Sequence, residues 1–590
     1  MVAGIDLSSP YLTRGLIAYI GNKRSLLPFL SASFSRCASA VSTSHPLRFL
    51  DPFAGSGGVS RLGRALGFAV FSNDREYYAA IIARCRVVMD HSRLEAAFAC
   101  EGGSAKAFES LDAFARGDSP FNAEPYIARH YAPKDTETAD WRSERLFYTA
   151  ENARYIDRAR EAIELRYPID PLDPAVDETK ADAKAALLDS LLYEAATRVN
   201  TSGVFKACHR GFGGHGGDAL TRIMAPIRLS PPDLVSGPAA IAAARDAAAF
   251  CAAHSGKHSA DIVYIDPPYN QHQYGSNYHL LTTIARWDKP PIPDDRDQSG
   301  FLSDRSGIRA DWVATRSDFC RRGRAAPAFA SLLDSIDSRF ILVSYNDGGI
   351  VPLEELRDIL EARGKLRIEA VPYVAYRGGK QSATRTERTS ELLFVLDTSG
   401  TARSSVNMTA TGELRRIRAF GALEALKKER FAPRRMVDSP SLGSSVNKLI
   451  GPDGRLLLNG IDPDSLSLDR LESVIAALQR RACAGNMEAF DVVYDLLRGA
   501  IENRGERKKR ELERLGRDAL ALLKKIAFRK YANEYGPRSL LLRSVLETLS
   551  SARLIDSLDA LDGRAALRGV APPSMTQDRC GRLISSAASR

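Results

Sequence analysis

Apolar positions in the first 400 residues fall into short runs, each closed by a polar or chain-bending residue. Residues 46–50 and 68–72 read as two strands. Between them, residues 59–66 carry helical apolar spacing, and Gly67 closes that helix. Residues 261–265 read as a short buried strand that ends abruptly, because Pro267 and Pro268 cannot continue a sheet ladder. Residues 340–345, 366–376 and 392–396 read as further strands. Residues 352–363 predict a helix with proline at its start, Leu353, Leu356, Ile359 and Leu360 on one face, and Gly364 at its end. Helical patterning also covers residues 152–164, 181–199 and 239–250, the last after a proline-rich linker. Beyond residue 400 the pattern is helical, at 466–478 and at 512–528, where Leu512, Leu515, Ala519, Leu522 and Ile526 share a face. Strands alternating with helices predict an α/β fold over residues 1–90 and 240–400. Residues 91–239 form a mostly helical insert, and residues 401–590 form a mainly α C-terminal domain.

Composition changes this picture little. The chain has 590 residues, 44% hydrophobic and 26% charged, as an ordinary globular protein does. No apolar run reaches membrane-spanning length, and the first residues, with Asp6, Ser8, Ser9, Pro10 and Arg14, do not read as a secretory signal. The eight cysteines are scattered without a C-x-x-C pair, so reduced thiols and a cytoplasmic location are expected, with no disulfide scaffold. Charge is more informative. Residues 401–590 carry 34 Lys+Arg against 23 Asp+Glu, whereas residues 1–400 carry 48 against 49. A basic tail on a neutral body suits a polyanionic partner.

Two constellations carry the candidate chemistry. The first, Asp266-Pro267-Pro268-Tyr269, lies just past the carboxyl end of a strand, where open α/β sheets bind ligands. It offers one carboxylate, the carbonyls of Asp266 and Pro267, and one aromatic ring. Acceptors beside a flat apolar plate suit a planar base with an exocyclic amino group, and not a phosphate or carboxylate. The second is Asp51-Pro52-Phe53-Ala54-Gly55-Ser56-Gly57, a glycine-rich turn between strand and helix, with Asp74 at the end of the following strand. The glycines allow close approach of a ligand, and Asp74 is placed to accept ribose hydroxyls. The turn lacks the lysine of a phosphate loop, and Asp51 would repel phosphate, so a nucleoside with a cationic or zwitterionic tail fits best. Upstream, Tyr19-Ile20-Gly21-Asn22-Lys23 supplies a turn and a cation that could neutralise a ligand carboxylate.

Together these motifs resemble the Dam-like S-adenosylmethionine-dependent N6-adenine DNA methyltransferases, in the α-type motif order, over about residues 11–397. Residues 19–23 are similar to the N-terminal cofactor motif of that family, residues 51–57 to its glycine motif, and residues 266–281 to its extended catalytic motif. Residues 199–207 and 342–347 also resemble family segments. The resemblance implies a Rossmann-like methyltransferase sheet with an inserted target-recognition region, and S-adenosyl-L-methionine as cofactor. Asp266, Pro267, Pro268 and Tyr269 would be catalytic; Tyr19, Lys23, Asp51, Phe53, Gly55, Gly57 and Asp74 would hold the cofactor. Duplex DNA is the implied substrate, and a restriction-modification role with a cognate endonuclease is an expectation carried by the resemblance alone.

Residues 201–218 place Lys206, His209 and Arg210 among aromatic residues and glycines, a composition suited to DNA contact. Tyr274 and Tyr278 are candidates to line the base or its strand. Arg377 and Lys380 lie in a basic loop suited to phosphate. His209 and His215 lack a supporting Cys/Asp/Glu cluster, so no metal site is expected. Residues 290–318, charged and poorly periodic, read as a mobile loop near the DNA. Cytosine N4, RNA and protein stay open as alternative acceptors, as does a catalytically degenerate DNA-binding protein.

Overall fold

Seven strands form one sheet in the order β3-β2-β1-β4-β5-β7-β6. They are β1 (Arg48–Asp51), β2 (Ala69–Asn73), β3 (Ile241–Ala243), β4 (Ala260–Ile265), β5 (Ser338–Asn346), β6 (Lys365–Val374) and β7 (Arg388–Asp397). All neighbours pair in parallel except β7, which runs antiparallel to both β5 and β6. The order runs from β3 down to β1 on one side and begins again at β4 on the other, where β7 is inserted between β5 and β6. The switch point therefore lies between β1 and β4, where Phe49 pairs with Ile262 and Leu50 with Val263. This computed structural model describes residues 5–570 apart from 118–123, 215–218, 255–259, 347, 375–387, 400–406, 428, 432–454, 457–465, 481, 503–508, 529–530 and 567–568. The chain divides into two units, Met1–Thr411 and Gly412–Arg590.

The sheet is apolar on both faces, as parallel strands covered by helices require. Phe49, Val70, Ile262, Tyr264 and Leu342 pack with Phe34 and Leu62 from helices Leu27–Ser39 and Gly58–Ala65. Gly67, at φ 82°, ends the second of these helices as expected. A separate core of Tyr78, Ile156, Leu187, Leu188, Leu191 and Leu281 joins the insert to the segment after β4. Its long helices are Ala150–Arg166 and Glu178–Arg198, each opened by a side-chain cap, from Thr149 and Asp177.

Two expectations are corrected. Residues 239–250 are not one helix: residues 241–243 form edge strand β3 beside β2, and the helix spans Ala247–His254. Alanine favours a helix intrinsically, but the open edge of β2 takes these residues as a strand. Residues 290–318 are anchored rather than loose. Arg309 is buried and pairs with Asp288 and Asp311 at 2.5 and 2.7 Å.

The second unit is helical, with Leu468–Gln479, Asn486–Glu502, Lys509–Ile526, Ala532–Thr548 and Ala552–Ala566. Leu512, Leu515, Ala519 and Ile526 are buried as expected, but Leu523 rather than Leu522 completes the buried stripe. Among the described residues, no helix is long and apolar enough to cross a membrane.

Candidate active site

Three acids stand at the carboxyl ends of three adjacent strands. Asp51 ends β1, Asp74 follows β2 and Asp266 follows β4. All three line a cavity of about 350 Å³, together with Tyr19, Lys23, Phe53, Gly55, Pro267, Pro268, Tyr269 and Tyr274. The sheet thus gathers residues separated by some 250 positions of sequence into one site. Gly57, at φ 79°, turns the chain into helix Gly58–Ala65.

The glycine turn is held by its own acids. Asp74 accepts the Gly55 amide at 2.8 Å and the Glu76 amide at 2.9 Å, one on each oxygen. Gly55 sits at φ 54°, and a Cβ there would stand 2.7 Å from the Tyr19 ring. Only glycine meets both conditions. Ser60 donates to Asp51 Oδ2 at 2.6 Å, while Asp51 Oδ1 is buried and, among the described residues, meets no hydrogen-bond criterion. Burial pushes the pKa of Asp51 up to about 7, and Ser60 pulls it back only in part. Burial likewise lifts Asp74 to about 6 and Glu76, which also lines the cavity, to about 7. Desolvated carboxylates of this kind gain from a cation brought among them.

Lys23 is buried against the reacting segment. Its Nζ lies 3.0 Å from Asp266 Oδ1 and 2.7 Å from Glu391 Oε1, and Ser344 donates to that same Glu391 oxygen at 2.8 Å. Burial alone would lower the Lys23 pKa, but Asp266 and Glu391 outweigh it and hold it well above the usual value. Burial raises Asp266 to about 6; Lys23 opposes this and Glu391 adds to it. The expectation that Lys23 would meet a ligand carboxylate therefore differs from the geometry, in which two protein carboxylates already hold it. Tyr269 packs edge-on to Tyr345 at 5.7 Å, and its carbonyl accepts the Ile350 amide at 3.0 Å.

Tyr278 does not reach a DNA surface. It is fully buried and stacks on Tyr19 at 4.7 Å, and its hydroxyl accepts the Ile20 amide at 2.8 Å. A ring spent on packing the Tyr19 turn against the segment after β4 cannot also contact a substrate strand. Tyr274 lines the cavity and donates to the Ile20 carbonyl at 3.1 Å. Lys206 and Arg210 are exposed. His209 lines a second cavity of about 520 Å³, which shares Asn22, Ser56 and Gly58 with the first. Arg377, Lys380 and His215 lie outside the described residues.

Sequence reasoning missed Glu391, Glu76 and Phe319. Glu391 is the signal most easily found, a carboxylate inside the apolar strand β7. Phe319, just past the 290–318 stretch that reads as a loop, packs edge-on to Phe53 at 5.3 Å.

Residues 19–296 match the family described as D12 class N6 adenine-specific DNA methyltransferase. The type II methyltransferase M.NlaIII of Neisseria lactamica is 29% identical over 390 residues, which cover 64% of this chain and 98% of that protein. The modification methylase LlaI of Lactococcus lactis subsp. lactis is 28% identical, over 62% of this chain and 52% of its own length. The type II methyltransferase M.FokI of Planomicrobium okeanokoites is 28% identical, over 57% and 46%. The acid-lined cleft at the switch point of this Rossmann-like sheet, with Asp51, Asp74 and Asp266, falls within the residues that match the D12 class of N6 adenine-specific DNA methyltransferases.

Proposed function

We propose that this enzyme takes the methyl group of S-adenosyl-L-methionine and transfers it to the N6 amino group of adenine in duplex DNA, with Asp266-Pro267-Pro268-Tyr269 as the reacting segment. The observation that carries this reading is the convergence of Asp51, Asp74 and Asp266 on one cavity, with Asp51 Oδ1 buried and, among the described residues, without a hydrogen-bond partner. An acid-rich wall suits a ligand bearing an ammonium, ribose hydroxyls and a sulfonium, and repels phosphate. The donor supplies an activated methyl, so this chain's residues need only bind and aim. Asp51 would take the ammonium, Asp74 and the Gly55 turn the nucleoside part, and Tyr19 and Phe53 the apolar surface.

The N6 lone pair is delocalised into the ring, which makes it a poor nucleophile. Asp266 and the Pro267 carbonyl would accept its two hydrogens, favour the pyramidal form and direct the lone pair at the methyl group. Lys23 and Glu391 would hold the Asp266 carboxylate in place, and Tyr269 would stack on the extruded base. A role as the modification half of a restriction-modification pair, with a cognate endonuclease as partner, rests on the names of the relatives. The surplus of positive charge in residues 401–590 supports a further DNA contact there.

The test is incubation with labelled donor and unmethylated genomic DNA, then digestion to nucleosides. Label in N6-methyladenosine supports the reading. Label in methylcytosine would keep the mechanism and change the base. Label in neither would overturn the substrate assignment.

A further inference from the structure

Arg142, Arg210 and Arg305 come from three separate stretches of chain and meet at one ring. The Arg210 guanidinium lies 4.5 Å from the centroid of Trp141, that of Arg305 4.3 Å, and that of Arg142 5.9 Å. Arg142 also lies 5.7 Å from the ring of Phe301. All three arginines are exposed and Trp141 is half-buried. Other arginines of this unit are held by acids, as Arg309 is by Asp288 and Asp311 and Arg86 is by Asp189. Among the described residues, the guanidiniums of Arg142, Arg210 and Arg305 have no ion pair and no hydrogen bond.

An aromatic face attracts a cation but supplies no counter-charge. Arg210 and Arg305 are at most about 9 Å apart, roughly one Debye length at physiological salt, so they repel each other. The arrangement is relieved by an external anion. Guanidinium groups match the oxygens of a phosphate diester in geometry, and a ring that restricts their motion reduces the entropy lost on binding.

The cluster is also tied to the reacting segment. Arg210 follows His209, which lines the second cavity beside the glycine turn. The same loop is pinned at Phe205, whose amide donates to the Asn277 carbonyl at 2.7 Å. The Phe205 carbonyl accepts from His279 Nε2 at 2.9 Å, and burial lowers the His279 pKa to about 4 and keeps the ring neutral. Asn200 Nδ2 bonds the carbonyls of Leu146 and Gly211, which joins this loop to the segment that carries Trp141.

We propose that Arg142, Arg210 and Arg305, organised by Trp141, form a clamp for the phosphate backbone of the DNA substrate. The proposal deepens the reading of this chain as a DNA methyltransferase and rests on it for the identity of the polyanion. The test is the affinity of the full-length protein for a DNA duplex of arbitrary sequence, measured by fluorescence anisotropy across a KCl series. The wild type is compared with the Arg210→Gln/Arg305→Gln double variant and with Trp141→Leu. Donor binding is followed as a check on the cavity.

Loss of two phosphate contacts should lower the slope of log affinity against log salt by about 1.8, at roughly 0.9 per contact. Trp141→Leu keeps the charges and should weaken binding with a smaller change of slope. Donor affinity should be retained in both. An unchanged slope in the double variant would overturn the clamp, and so would loss of donor binding, which would make the cluster a support for the fold. A reduced slope in a protein that methylates no adenine would leave the clamp standing and remove the functional reading.

Discussion

Asp51, Asp74, Glu76 and Asp266 face the cavity at the strand ends with Lys23 among them, and every one of these carboxylates is raised by burial. Around Trp141, three exposed arginines stand with no ion pair among the described residues. Both regions are electrostatically unfinished, in opposite senses. The buried one has too little positive charge for its acids and is shielded from salt, so it discriminates by desolvation. The exposed one has too much and is screened by salt, so it contributes affinity that fades as ionic strength rises. On the proposed reading, the first site takes a cationic donor and the second a polyanion.

The comparison breaks most sharply at Asp266. Asp266→Ala should reduce methyl transfer on the order of 10³-fold, the scale of losing a well-placed electrostatic contact at a reacting centre. Donor binding should remain measurable by calorimetry, and DNA affinity and its salt slope should be unchanged. Full activity in this variant would sink the mechanism.

Gly55→Ala combines a positive φ with a Cβ driven into Tyr19. Strain of this kind costs roughly 1–3 kcal/mol, so donor affinity should fall about 10- to 100-fold while the salt slope for DNA is untouched. Calorimetric titration of the donor measures it, and wild-type affinity would show that the turn does not hold the donor.

Acid should weaken the cavity and spare the surface. The cavity carboxylates are raised to about 6 and about 7, so they are protonated below that range and ionise as pH rises through it. A cationic donor needs them ionised. Asp51, the proposed partner of the donor's ammonium, is raised to about 7, so affinity should fall up to about tenfold per pH unit below about 7. The proposed clamp contains no carboxylate, so the salt slope for DNA should hold. A donor affinity flat from about pH 5 to about pH 8 would contradict the assignment of the acids.

The smallest effect is the most diagnostic of the Lys23 network. Glu391 pushes the Asp266 pKa up. Glu391→Gln should therefore move the acidic limb of the kcat profile to lower pH, by less than about one unit. A purely structural Glu391 would lower activity without moving that limb.

Much of the site was legible because its chemistry is local in sequence. The residues 266–269 and the turn at residues 51–57 each state a strand end, a backbone turn and a set of acceptors within a few positions. Strand and helix identities followed from apolar period over most of the first unit, since burial on two faces leaves little choice of residue. What failed were features that depend on neighbours in space. The alanine-rich stretch at 239–250 contains no signal that the edge of β2 will claim residues 241–243. Lys23 reads as a partner for a ligand carboxylate until β4 and β7 bring Asp266 and Glu391 within 3.0 Å of it. Tyr278 reads as a contact to the base or its strand until Tyr19 stacks on it.

The sequence by itself determined the fold class, the motif order and the acceptor character of the reacting segment, because these follow from residue type and spacing. The tertiary structure alone decided which charges are paired, which carboxylates are raised, and that Trp141, Arg210 and Arg305 meet. Those properties arise from desolvation and from contacts between distant segments, and neither is encoded in the spacing of residues along the chain.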